Sequence, residues 1–88
     1  MKIKNGFVIE KVADSYLACA TGELAESFNG FIRLNETGAF LWKTLSEGDK
    51  TKDELLACLM KEYDVAEDVA VADIEAFVKH LSDNGIIQ

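Results

Sequence analysis

The 88-residue chain predicts an α+β fold, a three-stranded antiparallel sheet followed by three helices. Three observations carry that expectation. Short β-rich runs separated by turn residues fill the first third of the chain. Helix caps followed by apolar stripes of 3.6-residue spacing fill the rest. The two regimes meet inside "NGFIRLNETGAFLWKTL", Asn29 to Leu45, where strand-like and helix-like sequence join at Asn35 with no loop between them.

The first strand is "FVIEKV", Phe7 to Val12, and the second is "SYLACAT", Ser15 to Thr21. Only Ala13 and Asp14 separate them, which predicts a tight hairpin, although Ala-Asp is a weaker turn pair than Asn-Gly. The segment "GELAESFNG" reads as a loop because Gly22, Asn29 and Gly30 punctuate it. A third strand follows from about Gly30 to Leu34.

Asn35 opens the first helix as an N-cap whose side-chain oxygen can accept from free first-turn amides, and Glu36 adds charge at the positive end of the dipole. Gly38, Trp42 and Leu45 share one stripe with Leu41 beside it, making Trp42 a core residue. Gly48 is expected to end this helix in the left-handed conformation. Thr51 and Glu54 form a T-x-x-E capping box for the second helix, whose stripe is Leu55, Leu56, Leu59, Met60 and Tyr63. The third helix is expected from Glu67 to Asn84, stopped by Gly85, with Ala70, Ile74, Phe77 and Leu81 facing the core. Val71 and Val78 lie on an adjacent line with Glu75 between them, beyond what one narrow seam requires.

The length suits one domain, residues 1–88, burying roughly 60–65% of the surface of its unfolded chain. With 49% hydrophobic and 28% charged residues the chain has the composition of a folded domain rather than a disordered one. A net charge of −7 repels phosphate backbones and anionic lipid. No apolar run reaches the ~20 residues of a membrane span, and the N-terminus lacks signal-peptide features, so a cytoplasmic location without membrane partners is expected. Cys19 and Cys58, far apart and each among apolar neighbours, read as buried free thiols in a reducing compartment. His80 is the only histidine and reads as a surface or interface residue, so neither a metal nor a cofactor is expected.

Catalytic patterns are missing: there is no GxSxG elbow, phosphate-cradling Gly-rich loop or HExxH pair, and the acidic pairs sit at helix starts and on exposed faces. The element order has winged-helix-like content, which raises DNA binding as an alternative. Yet the third helix carries only Lys79 against Glu67, Asp68, Asp73, Glu75 and Asp83, too little positive charge for phosphate contact. A regulatory module of winged-helix type, or a subunit of an enzyme with an unrecognised site, remain the other readings.

A three-stranded sheet has two edges whose amides and carbonyls can accept another extended chain. Peptide capture by strand addition against the third strand would suit a neighbouring helix with extra apolar residues such as Val71 and Val78. The alternative is an edge shielded by the Glu23 to Asn29 loop.

Three pieces in order, "FIRLNETGAFLWKTL", "EGDKTKDELLACLMKEYDV" and "ADIEAFVKHLSDNGII", resemble the PqqD-like family, the pyrroloquinoline quinone synthesis protein D and its relatives, also called the RiPP precursor peptide recognition element. The similarity runs from about Gly30 to Ile87. It implies three strands followed by three helices and no catalysis, with the chain acting as a monomer or homodimer. It further implies binding of the leader segment of a ribosomally made precursor peptide, for presentation to a modifying enzyme, a radical S-adenosylmethionine protein. Carried onto this chain, the resemblance places the leader against Asn29, Gly30, Phe31, Ile32, Arg33 and Leu34, facing Val71, Ile74, Glu75, Val78 and Lys79. Phe28-Asn29-Gly30 stands where quinone-pathway members have a Pro-Glu-Gly-like turn, which implies a different peptide.

Overall fold

A computed structural model of the chain describes residues 1–4, 6–22 and 31–87. Its strands are β1 (Phe7–Val12), β2 (Ser15–Ala20) and β3 (Phe31–Leu34), and its helices are α1 (Glu36–Ser46), α2 (Lys52–Glu62) and α3 (Glu67–Asp83). The expected loop from Glu23 to Gly30 lies outside the described residues. So do Asn29 and Gly30 of the expected third strand.

The hairpin forms as the spacing predicted: β1 and β2 pair antiparallel from Phe7↔Ala20 to Val12↔Ser15. Ala13 takes a φ of 56°, the left-handed region a tight two-residue turn demands of its first central residue. β3 continues the sheet antiparallel to β2, from Tyr16↔Leu34 to Cys19↔Phe31. Register decides which side chains enter the core: Ile9, Ala18 and Ile32 form one cross-strand row on the inner face, and Val8, Cys19 and Phe31 form a row on the outer face. Ala18 and Ile32 are accordingly buried, while Val8 and Phe31 are exposed.

The helices close over the inner face. Trp42 is only 3% exposed and packs edge-on against Phe7, with ring centroids 5.4 Å apart. Leu41 and Leu45 flank it from α1, Leu55 and Leu59 come from α2, and Ala70, Ile74, Phe77 and Leu81 come from α3. Each large apolar side chain so buried contributes on the order of 1.5–3 kcal/mol. Met60, assigned to the α2 stripe by spacing, is exposed, because the stripe is wider than the contact that α1 and α3 offer.

Cap chemistry sets the helix ends. Thr51 and Glu54 make the capping box, Glu54 N donating to Thr51 Oγ1 at 3.1 Å and Thr51 N to Glu54 Oε1 at 3.0 Å. Gly85, at φ 70°, ends α3: its amide donates to Ser82 O and that of Ile86 to Leu81 O, a Schellman arrangement that buries Ile86 against the helix. Gly48 departs from expectation, since it is not among the positive-φ glycines. The amides of Glu47 and Gly48 instead donate to Thr44 O and Leu45 O, both at 3.3 Å, so a 3₁₀-like tightening satisfies those carbonyls.

Cys19 and Cys58 are free thiols, but they are half-buried rather than buried. Cys19 points to the outer face of the sheet, and Cys58 sits beside the α2 core stripe rather than on it. An unforeseen contact ties the chain ends together. Ile3 bridges Ile87, and Lys4 N donates to Ile86 O at 2.8 Å. No helix among the described residues is long and apolar enough to cross a membrane.

Candidate peptide-binding edge

The sheet order β1-β2-β3 leaves β3 at an edge, with β2 as its one strand partner among the described residues. Its burial alternates. Ile32 and Leu34 turn into the core, and Phe31 and Arg33 turn out, Phe31 remaining 56% exposed. Alternate backbone amides and carbonyls of such a strand point away from β2, which is the geometry an incoming extended chain needs.

The junction beyond β3 is built by two residues. Asn35 Oδ1 accepts from Gly38 N at 2.7 Å and from Thr37 Oγ1 at 3.0 Å, which starts α1 one residue after the strand ends. Gly38 is buried there because a Cβ would stand 3.0 Å from Asn35 Oδ1 and 3.4 Å from Leu34 Cβ. Helix and strand thus meet so closely that any side chain here would push its neighbours by a few tenths of an ångström.

Alongside lies an open cavity of ≈ 260 Å³, bounded by Arg33, Leu34, Asn35 and Thr37 on one side and by Asp73, Ala76, Phe77 and His80 of α3 on the other. Phe77 supplies a largely buried floor, Ala76 and His80 are exposed at the rim, and Asp73 is half-buried. Arg33 and His80 bring donors to the opening and Asp73 brings acceptors, so the wall offers both hydrogen-bonding senses around an apolar base.

Of the residues singled out from sequence, Arg33 and Leu34 line this cavity. Phe31 and Ile32 continue the same strand, and Asn29 and Gly30 lie outside the described residues. Ile74 is a core residue at 3% exposure, as are Ile32 and Leu34 at 4% and 5%. Their side chains are committed inward and the register turns the backbone amides and carbonyls of Ile32 and Leu34 toward β2, so the open edge is offered by the backbone of Phe31 and Arg33. Val71, Glu75, Val78 and Lys79 do not line the cavity. At about 100° per residue their line is turned roughly half a circle from Asp73, Ala76, Phe77 and His80. Val78 packs partly against the core, and Val71 is 37% exposed. Apolar spacing identifies the buried stripe of α3 but cannot say which flank of that stripe turns to the sheet. That depends on how the helices dock, so the residues of α3 that border this cavity could not be read from spacing alone.

Among the described residues, no group of three or more His, Cys, Asp or Glu is placed to hold a metal ion. The candidate site consists of a strand edge and an apolar-floored cleft. The family described as coenzyme PQQ synthesis protein D (PqqD) matches residues 17–87, and the chain belongs to that family. In three dimensions it is similar to a solved structure described as TbiB1 in complex with the TbiA(beta) leader peptide, with a TM-score of 0.73 and 20% sequence identity, covering 100% of this chain and 95% of that one. No curated protein gives a significant match.

Proposed function

We propose that this domain binds the leader segment of a ribosomally synthesised precursor peptide and presents it to a modifying enzyme, without catalysing a reaction itself. The peptide adds as a strand against the outer edge of β3, its main chain supplying affinity. Side chains on its inner face seat in the cleft between Arg33 and the flank of α3 that carries Asp73, Ala76 and His80. The observation that carries this reading is the edge position of β3 beside that cleft. Membership of the PqqD family and the fold shared with a leader-peptide complex support it. The modifying partner is a radical S-adenosylmethionine enzyme, and the complex forms in the cytoplasm.

The test is an NMR or calorimetric titration with leader-length peptides from short reading frames near the gene. Amide shifts should concentrate in Phe31 to Leu34 and along Asp73 to His80. Phe31 and Arg33 turn both their side chains and their amides away from the core and β2, so Phe31→Pro and Arg33→Pro should each lose an edge hydrogen bond and block pairing sterically without emptying the core. Ala76→Arg should fill the cleft and weaken binding, while Glu54→Gln on α2 should leave it unchanged. If Val78→Asp weakens binding and Ala76→Arg does not, the peptide lies on the other flank of α3. Shifts confined to the hairpin or to α2 would refute the site.

A further inference from the structure

A second concavity lies on the opposite flank of α1 from Gly38. It is open, measures ≈ 420 Å³, and sits between the inner face of the β1–β2 hairpin and α1, away from the β3 edge. That volume is within the range of pockets that hold ligands, roughly 300–1,000 Å³. Both tyrosines and the only tryptophan of the chain line it, together with Phe7 and Phe40. Phe7 stands edge-on to Trp42, and Phe40 stands edge-on to Tyr63 at 5.5 Å and 86°. Only Trp42 of these rings is fully buried. The others stay half-buried and leave ring surface open to the cavity.

The cavity is also polarised. Glu36 and Lys43, two turns apart on α1, mark its two ends. The Tyr63 hydroxyl is held above its ordinary pKa, first by burial and then by the negative charges of Glu36 and Glu62, so the field at that end favours cations. Lys11 already places its ammonium 5.9 Å from the centre of the Tyr16 ring, one cation drawn to the same end. An aromatic floor with a carboxylate at its rim suits a guanidinium, which can stack on a ring while donating to the carboxylate.

We propose that this cavity is a second docking site, taking from a partner protein an aromatic side chain and an adjacent arginine whose guanidinium lies between Glu36 and the rings of Tyr16 and Tyr63. The site goes beyond the leader-binding reading and draws only on its own lining. It leaves the β3 edge free, so a domain holding a peptide there could be held by another protein at the same time.

The probe is the blocked dipeptide N-acetyl-Phe-Arg-amide, titrated into the full chain and followed by amide NMR, with N-acetyl-Phe-Glu-amide and N-acetyl-Gly-Arg-amide as comparisons. Saturable shifts are expected at Tyr16, Ala39, Phe40 and Tyr63 with the first probe, and weaker binding of about fivefold or more with each of the others. Glu36→Gln should remove most of the preference for Arg over Glu. Ala39→Arg, at a half-exposed helix position lining the cavity, should abolish the shifts while the rest of the spectrum stays folded. Absence of saturable shifts, equal binding of the Arg and Glu probes, or binding indifferent to Ala39→Arg would overturn the proposal. Leader peptides report at β3 and these probes at α1, so either site can fail while the other stands.

Discussion

Asn35 and Gly38 are coupled through one oxygen: Asn35 Oδ1 accepts the Gly38 amide at 2.7 Å, and a Cβ added to Gly38 would stand 3.0 Å from that same atom. In an unconstrained helix Gly→Ala gains about 1 kcal/mol of propensity. Here the new methyl would press on the cap oxygen and come against the buried Leu34 side chain at 3.4 Å. Overpacking costs ~1–3 kcal/mol and a lost cap ~1 kcal/mol. Gly38→Ala should therefore destabilise the domain by about 1–2 kcal/mol in urea unfolding, and Asn35→Ala by about 1 kcal/mol. A Gly38→Ala protein more stable than the parent would show that the junction can relax.

Trp42 is a structural residue. Replacing it by Ala removes the ring that packs on Phe7 and leaves a cavity between sheet and α1, at a cost of ~3–5 kcal/mol. Thermal unfolding measures this directly, and retention of parental stability would contradict the core assignment.

Ala13 carries its φ of 56° at some expense. A left-handed Ala costs ~1–2 kcal/mol, and Gly in its place removes that strain while adding ~0.5–1 kcal/mol of chain entropy to the unfolded state. Ala13→Gly should stabilise the hairpin by about 0.5–1 kcal/mol, read as a raised melting temperature. Ala13→Val should do the opposite, because β-branched residues resist positive φ.

Glu54 titrates below the usual carboxylate range because the Thr51 amide, then the Thr51 hydroxyl contact, favours its ionised form. With the folded pKa depressed, its contribution is complete above the unfolded value of about 4.3 and is lost as pH falls through the folded one. Carboxyl NMR titration should find Glu54 acidic relative to the exposed glutamates. Thr51→Ala should return it toward the ordinary value by removing the hydroxyl half of the capping box.

Local chemistry made much of this fold legible. The strand boundaries of β1, the cap at Asn35, the box at Thr51 and Glu54, and the Gly85 stop all depend on interactions within a few residues, which a linear reading captures. Gly48 does not follow the left-handed expectation because two ways of ending a helix were open to it, and Glu47 and Gly48 use bonds that reach back three residues. The strand half of the candidate site was equally legible, since β3 follows from its sequence and becomes an edge once the hairpin precedes it.

The sequence by itself determined the order of elements, the core stripes of α1 and α3, most of that of α2, and the acidic character of α3. Those are properties of periodicity, capping and composition, carried by neighbours in the chain. Only the tertiary structure decided that Asp73, Ala76 and His80 stand beside Arg33, that Phe7, Phe40 and Tyr63 gather on one flank of α1, and that Ile3 meets Ile87. Each of these contacts joins residues far apart in the chain. Their positions follow from the rotation at which packed helices settle against the sheet, a choice made by the fit of side chains across elements and not written in the spacing of any one of them.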